Sequence, residues 1–292
     1  MSYVRISSIP QHPDEATFRD WGKKLSDAME AVGFTKTADT GQVDWAAVAK
    51  PTAINTYTGY EIRQFTDTLQ ATVPVFVKIE YGNGSYAVGK PGLRITVGRG
   101  SDGAGALTGD VAGYFYLTCS GSTETASVPS YVSSDGGRIN LGLWLVNAGS
   151  SANAFWIERL KNDDGSPNAN GIHIFSSTNT ATRSMVASAQ VLPASAGAAY
   201  PAAPGKPCCA IPTAGNMTTY NENIGLFPVH PNLGYAGNPD LGGLVTTIGE
   251  MFAPGAFMTV NILGANHNYV YVKNLNMNIA GNSSCDILVR CE

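Results

Sequence analysis

The chain has 292 residues, of which 43% are hydrophobic and only 14% charged, with 33 glycines, 16 prolines and a formal net charge of −4. That length allows one large β domain or two smaller ones with an ample core. The acidic balance, with 18 basic residues scattered and no basic run longer than Lys23–Lys24, argues against a nucleic-acid binder, which needs clustered Lys and Arg to neutralise phosphates. The low charge fits either an extracellular-type β protein or a subunit largely covered by neighbours. No apolar run reaches the ~18 residues that span a bilayer. The opening MSYVRISSIPQHPDE lacks the apolar core of a signal peptide. Synthesis in the cytoplasm, without membrane insertion, is therefore expected.

Residues 1–13 read as an N-terminal arm, extended from Tyr3 to Ile9 and broken by Pro10 and Pro13. Such an arm suits either pairing with a neighbour's sheet edge or a surface tail. Residues 14–50 hold a helix and a connecting segment. Phe18, Trp21, Leu25, Ala28, Met29 and Val32 recur at three- and four-residue steps and predict a helix from Asp14 to Val32. Asp14 stands at the N-cap and Gly33 at a left-handed C-cap. Asp39-Thr40-Gly41 reads as a turn, and Trp45 as a buried anchor before Pro51.

Residues 51–187 read as a β-sandwich. Val75, Val77, Ile79 and Tyr81 alternate with Phe76, Lys78, Glu80 and Gly82, which marks a half-buried strand. RITVG (Arg94–Gly98), YFYLTCSG (Tyr114–Gly121), RINLGLWLVN (Arg138–Asn147), AFWIERLKN and GIHIFSS follow, separated by Gly, Asn and Ser turns. NDDGSPNANG is expected as a long hairpin loop. Residues 188–212 shift to Ala, Pro, Gly and Ser and read as a linker or loop. Residues 213–292 form a C-terminal β region, either part of the same sandwich or a second lobe, which closes on CDILVRCE. The fold class is thus mainly β, an antiparallel sandwich or jelly-roll-like arrangement with one N-terminal α-helix.

Signals of chemistry are sparse. His12, His173, His230 and His267 stand apart, with no HExxH or HxH, and read as hydrogen-bonded structural residues. No nucleophile elbow, Walker loop or dinucleotide fingerprint occurs, and GRGSDGAG (Gly98–Gly105) is a turn. Asp102, and the group Asp163, Asp164, Asn168 and Asn170, offer oxygen donors in turns, but without a calcium-loop order, and turn chemistry accounts for them. Glu61, Glu80, Asp110, Glu158 and Glu250 are the carboxylates available for glycoside cleavage, with nothing in the sequence to pair them. No catalytic, metal or cofactor site is assigned, and no enzyme is expected. Cys119, Cys208, Cys209, Cys285 and Cys291 form no zinc pattern. They read either as buried thiols or, for Cys291, as a bridge to a neighbouring subunit.

The segments FRDWGKKLSDAMEAVGF, TADTGQVDW, GYEIRQFTDTLQATVPVFVKIEYG and ITVGRGSDGAG together resemble a family of tailed-bacteriophage virion proteins, most of them labelled structural or tail-associated. The resemblance covers roughly residues 15–105, and continues more loosely through FWIERLKNDDG and CDILVRCE. Its motifs are framework residues and supply no active-site set. It implies a non-enzymatic virion component associated with the tail, neck, collar or baseplate, with copies of itself and other virion proteins as partners. Two alternatives stay open: a capsid decoration protein, and a receptor- or glycan-binding tail module. In the latter Tyr220, Tyr235, Tyr269 and Tyr271 would stack on a host surface glycan, which requires at least two of them in one exposed groove.

Overall fold

The computed structural model describes residues 1–84, 87–109, 111–119, 124–145, 152–162, 164–177, 188–193, 226–228, 243–246, 252–262, 264–272 and 286–292. In chain order its elements are β1 (Ser2–Ser8), α1 (Glu15–Ala31), β2 (Thr35–Lys36), β3 (Tyr57–Gln64), β4 (Phe76–Asn83), β5 (Pro91–Gly98), β6 (Gly100–Ser101), β7 (Leu107–Thr108) and β8 (Ala112–Thr118). Then follow β9 (Val128–Ser134), β10 (Arg138–Leu143), β11 (Asn153–Lys161), β12 (Pro167–Ser176), β13 (Ser188–Pro193), β14 (Leu226–Pro228), β15 (Gly243–Thr246), β16 (Phe257–Ile262), β17 (Ala265–Val272) and β18 (Asp286–Arg290). The class is mainly β with antiparallel sheets and, among the described residues, a single helix, as the sequence predicts.

The helix forms where its apolar stripe recurs. Asp14 accepts a hydrogen bond from the Thr17 amide at 2.8 Å and caps the first turn, and Gly33 at φ +82° ends it in the left-handed region that glycine tolerates. Phe18, Trp21, Leu25, Ala28 and Met29 are all buried on one face. Gly22 sits mid-helix because a Cβ there would lie 1.9 Å from the Trp45 ring. Trp45 is only partly buried, and its ring meets Tyr81 edge-on at 4.8 Å.

Three sheets carry the rest. A central six-stranded sheet runs β1-β9-β10-β11-β12-β13, a second β2-β3-β4-β5-β8 and a third β14-β15-β18-β17-β16, with β6–β7 as a small ribbon. The central sheet is covered on both faces. Val132, Ile139, Leu141, Phe155, Ile157, Ile172 and Ile174 pack with α1 and with the inward residues Val77, Ile79, Ile95, Val97 and Phe115 of the second sheet. The intervening residues Tyr131, Ala154, Trp156 and Phe175 pack against Val270, Val272, Ile287 and Val289 of the third. This double cover is why β10 is buried at every position and β11 at eight in succession, whereas β4 alternates and β16 is never buried.

Several expectations change in detail. The N-terminal arm is β1, paired along its length with β9 of its own chain, from Ser2 opposite Ser134 to Ser8 opposite Val128. The strand expected over Arg138–Asn147 stops at Leu143, because Trp144 turns to φ +53°. The NDDGSPNANG loop is shorter than expected, since Pro167 already begins β12. Ser188–Pro193, assigned to a linker, is the strand β13 paired with β12, and residues 194–212 lie outside the described residues. The C-terminal region supplies the third sheet, stacked on the face of the central one that α1 does not cover.

Candidate functional site

Two buried groups of charged side chains stand out, one on each face of the central sheet. The first is at the joint of α1 with the second sheet. Glu61 and Arg63 lie two apart on β3 and so point to one face, the face that also carries Val77 and Ile79. Both are fully buried. Glu61 accepts from Ser26 Oγ at 2.6 Å, Tyr81 OH at 2.9 Å and Arg63 Nη2 at 2.9 Å, and Lys36 Nζ stands 3.0 Å away. Arg63 also donates to the carbonyls of Phe34 at 2.5 Å and Ser26 at 3.0 Å and to Glu30 at 3.1 Å. Burial alone would push the Glu61 carboxyl up, but Arg63, Ser26 and Lys36 outweigh it and hold it below its ordinary value. Burial, with the Glu61 carboxylate next, drives the Tyr81 phenol well above its ordinary value, so its proton stays in the bond to Glu61. At its centre Glu61, Arg63, Ser26 and Tyr81 are buried and satisfy one another, while Lys36 and Glu30 reach in from the surface.

The second group lies between the central and third sheets. The antiparallel register places Arg138 of β10 opposite Glu158 of β11, and Glu158 opposite His173 of β12, in one row across three strands. All three are at most 1% exposed. His173 Nδ1 and Glu158 Oε1 are 2.9 Å apart, Arg138 Nε stands 3.6 Å from Glu158 Oε2, and Arg138 donates to Asp135 at 3.2 Å. Among the described residues Glu158 Oε2 and His173 Nε2 have no hydrogen-bond partner. A carboxylate orienting an imidazole in this way resembles half of a nucleophile-activating arrangement, yet among the described residues no Ser, Thr or Cys hydrogen-bonds Nε2. Beside the row, a cleft of about 290 Å³ is lined by Asp67, Asp135, Arg138, Arg159 and Lys161. Its charges meet one another: Arg159 holds Asp67 through two bonds of 2.5 and 3.0 Å.

A groove of about 420 Å³ on the outer face of the second sheet is lined by Gln42, Asp44, Val48, Tyr57, Tyr60 and Glu80. Most of its polar groups are engaged with one another. Arg94 takes both Glu80 oxygens at 2.5 Å, Tyr60 OH donates to the Thr40 carbonyl at 2.6 Å, and Lys78 lies 4.5 Å over the Tyr60 ring. Burial pushes the Tyr57 phenol up, and among the described residues its hydroxyl has no hydrogen-bond partner.

The predicted site residues fare differently. Tyr269 and Tyr271 are fully buried in the outer face of the third sheet, clustered with Leu288 of the neighbouring β18, so neither offers a ring to a sugar. Period two points them away from Val270 and Val272 but does not reveal that this face is covered as well. Tyr220 and Tyr235 lie outside the described residues. Cys291 is buried, its thiol donating to the Asn268 carbonyl at 3.3 Å. Burial, and then Glu292, push that thiol up to about 12, so in this fold it is neither exposed to a neighbour nor a thiolate ready to oxidise. Asp102 accepts from the Ala104 and Ala106 amides, and Asp164 from the Ser166 amide and hydroxyl, as turn residues do. Asn168 donates to Asn162 at 2.5 Å, while Asp163 and the Asn170 side chain lie outside what is described.

Among the carboxylates, Glu61 and Glu80 point to opposite faces of the second sheet and Glu158 lies beyond the central one, so these three do not meet. Asp110 and Glu250 lie outside the described residues. His12 is buried between Phe18 and Trp21, at ring distances of 5.3 and 4.8 Å, and His267 Nδ1 stands 2.8 Å from Arg290. His230 lies outside the described residues. The sequence does hold a signal for both buried groups: each charge interrupts an apolar strand, as in YEIRQ, RINLGL, FWIERL and GIHIFS. Among the described residues no three His, Cys, Asp or Glu side chains cluster as metal ligands would, and no helix is long and apolar enough to cross a membrane. No protein-family model, curated protein or solved structure matches the chain.

Proposed function

We propose that this chain is a non-enzymatic structural component of a tailed-phage virion, associated with the tail, neck, collar or baseplate and assembled as a homo-oligomer. The observation that carries the reading is where the residues of the resemblance go. Phe18 and Trp21 of the helical segment, Trp45 of TADTGQVDW, Glu61 and Arg63 of GYEIRQ, and Val77, Ile79 and Tyr81 of PVFVKIEYG converge on one buried joint between α1 and the second sheet. A pattern that builds a joint of this kind specifies a framework. Two further features support it. Buried charges such as Glu61 and Arg63 neutralise one another inside the fold, and the sparsely charged, turn-rich chain suits contact with neighbouring subunits.

The test is to label purified virions with gold against this chain and count label per particle. Label at one end of the head or along the tail is the expected result. Label spread over the head would replace the tail-associated assignment with capsid decoration, and particles without label would remove the virion premise.

A further inference from the structure

Two sheets end on the same side of the stack. β1 is the last strand of the central sheet and β16 the last of the third. They lie together, since the rings of Tyr3 and Phe257 are 5.9 Å apart and Tyr131 meets Phe257 at 5.2 Å. At this mouth Tyr3 is 43% and Phe257 49% exposed.

The strand β16 reads FMTVNI, with no charge and no proline. Edge strands are usually guarded by Lys, Pro or a bulge, because their unpaired amides and carbonyls are a template for another strand. The Tyr271 amide donates to the Ala256 carbonyl, and from there the antiparallel ladder alternates. It turns the backbone groups of Met258, Val260 and Ile262 toward β17, and those of Phe257, Thr259 and Asn261 outward. Among the described residues no backbone group bonds to those outward positions. On the other side of the strand, Met258, Val260 and Ile262 are only partly buried against Tyr269, Tyr271 and Leu288.

We propose that this open side is a self-association surface, at which β16 of a second copy of this chain pairs antiparallel with β16. A two-fold axis through Thr259 sets Phe257 opposite Asn261 and Met258 opposite Val260. Outward-facing backbone then meets outward-facing backbone, and the half-buried apolar set of one copy continues that of the other. No like charges face each other within the paired strands. The two stacked edges, roughly 20 Å long and about 10 Å apart, with their side chains present on the order of 500 Å² per copy. The total of about 1,000 Å² reaches the lower bound for a specific interface. The proposal deepens the assembly reading and rests only on its homo-oligomeric part.

Sedimentation equilibrium of the purified full chain, with amide exchange, tests it. The wild type should form dimers or larger species in which the Thr259 and Asn261 amides are protected. Thr259→Pro removes an N–H that no backbone bond among the described residues uses, and Val260→Lys places like charges near the axis. Each should weaken association by at least about tenfold, with the melting temperature of Thr259→Pro unchanged. A wild type that stays monomeric at about 100 µM overturns the proposal, and so does an oligomer equally tight in Thr259→Pro. If Val260→Lys does not fold, Thr259→Pro and the wild-type exchange pattern decide. Seating of a different protein on β16 would likewise overturn it. A monomer leaves the virion assignment standing, whereas unlabelled virions leave this surface standing, so the two failures are distinct.

Discussion

The two faces of the central sheet each bury charge, and they do so differently. On the helix side, Glu61 and Arg63 are closed in by Ser26, Lys36, Glu30, Phe34 and Tyr81, so the cost of desolvating two ions is offset by a full set of bonds. On the other side, the row Arg138–Glu158–His173 leaves one carboxylate oxygen and one ring nitrogen without a hydrogen bond among the described residues, the oxygen facing only the Arg138 guanidinium at 3.6 Å. The helix brings hydroxyls and carbonyls to the first face, whereas the facing residues Val270, Val272, Ile287 and Val289 of the third sheet are apolar. A sheet packed on a sheet supplies few polar partners beyond the cross-strand row itself. The first group is therefore a tightly determined joint, and the second holds its geometry mainly through strand register.

The largest test of this contrast is Arg63→Met. It leaves Glu61 buried without its guanidinium, and urea unfolding should show a loss of about 3–5 kcal/mol. A loss below about 1 kcal/mol would mean that Lys36 and Tyr81 alone suffice, and the joint would not be the determined site described here.

Acidification should reveal a second cost on the same face. Burial, then Lys50, lowers His12 from 6.5 to about 3, against a smaller opposing pull from Asp14. The unfolded chain therefore binds this proton first. The stability is complete above pH 6.5 and declines as pH falls toward 3. Between pH 6.5 and 4 the decline should amount to about 3 kcal/mol. In His12→Phe this part of the slope should vanish, and an unchanged slope would reassign it to other groups.

Glu158→Gln should cost less, about 1–2 kcal/mol, because the carboxylate it replaces is incompletely partnered. A double-mutant cycle with His173→Gln measures how far the pair acts as a unit. A cost equal to that of Arg63→Met would erase the difference between the faces.

Much of the architecture was legible in the residues. Period two located the strands, and the stripe from Phe18 to Met29 with Asp14 and Gly33 located the helix to within a residue. Even the double cover of the central sheet has a signal: AFWI is apolar on both faces, whereas FVKIEY alternates. The candidate residues were less legible. Tyr269 and Tyr271 alternate with apolar neighbours whether their face is wet or covered, and the aromatic residue type suits both. The position of Cys291 next to last in the chain leaves both a buried thiol and an intersubunit bridge open, and only the placement of β18 inside the third sheet decides for burial.

By itself the sequence determined the local elements, because helix and strand periods are set by backbone geometry and by which side chains must avoid water. Only the tertiary structure decided which strands are neighbours: β1 beside β9, with the whole helix and second sheet inserted between them in the chain. It likewise brought Arg138, Glu158 and His173 into one row, and placed β1 and β16 together at an open side. Those outcomes depend on contacts between residues far apart in the chain, and a period reports which way a side chain points but not what it meets.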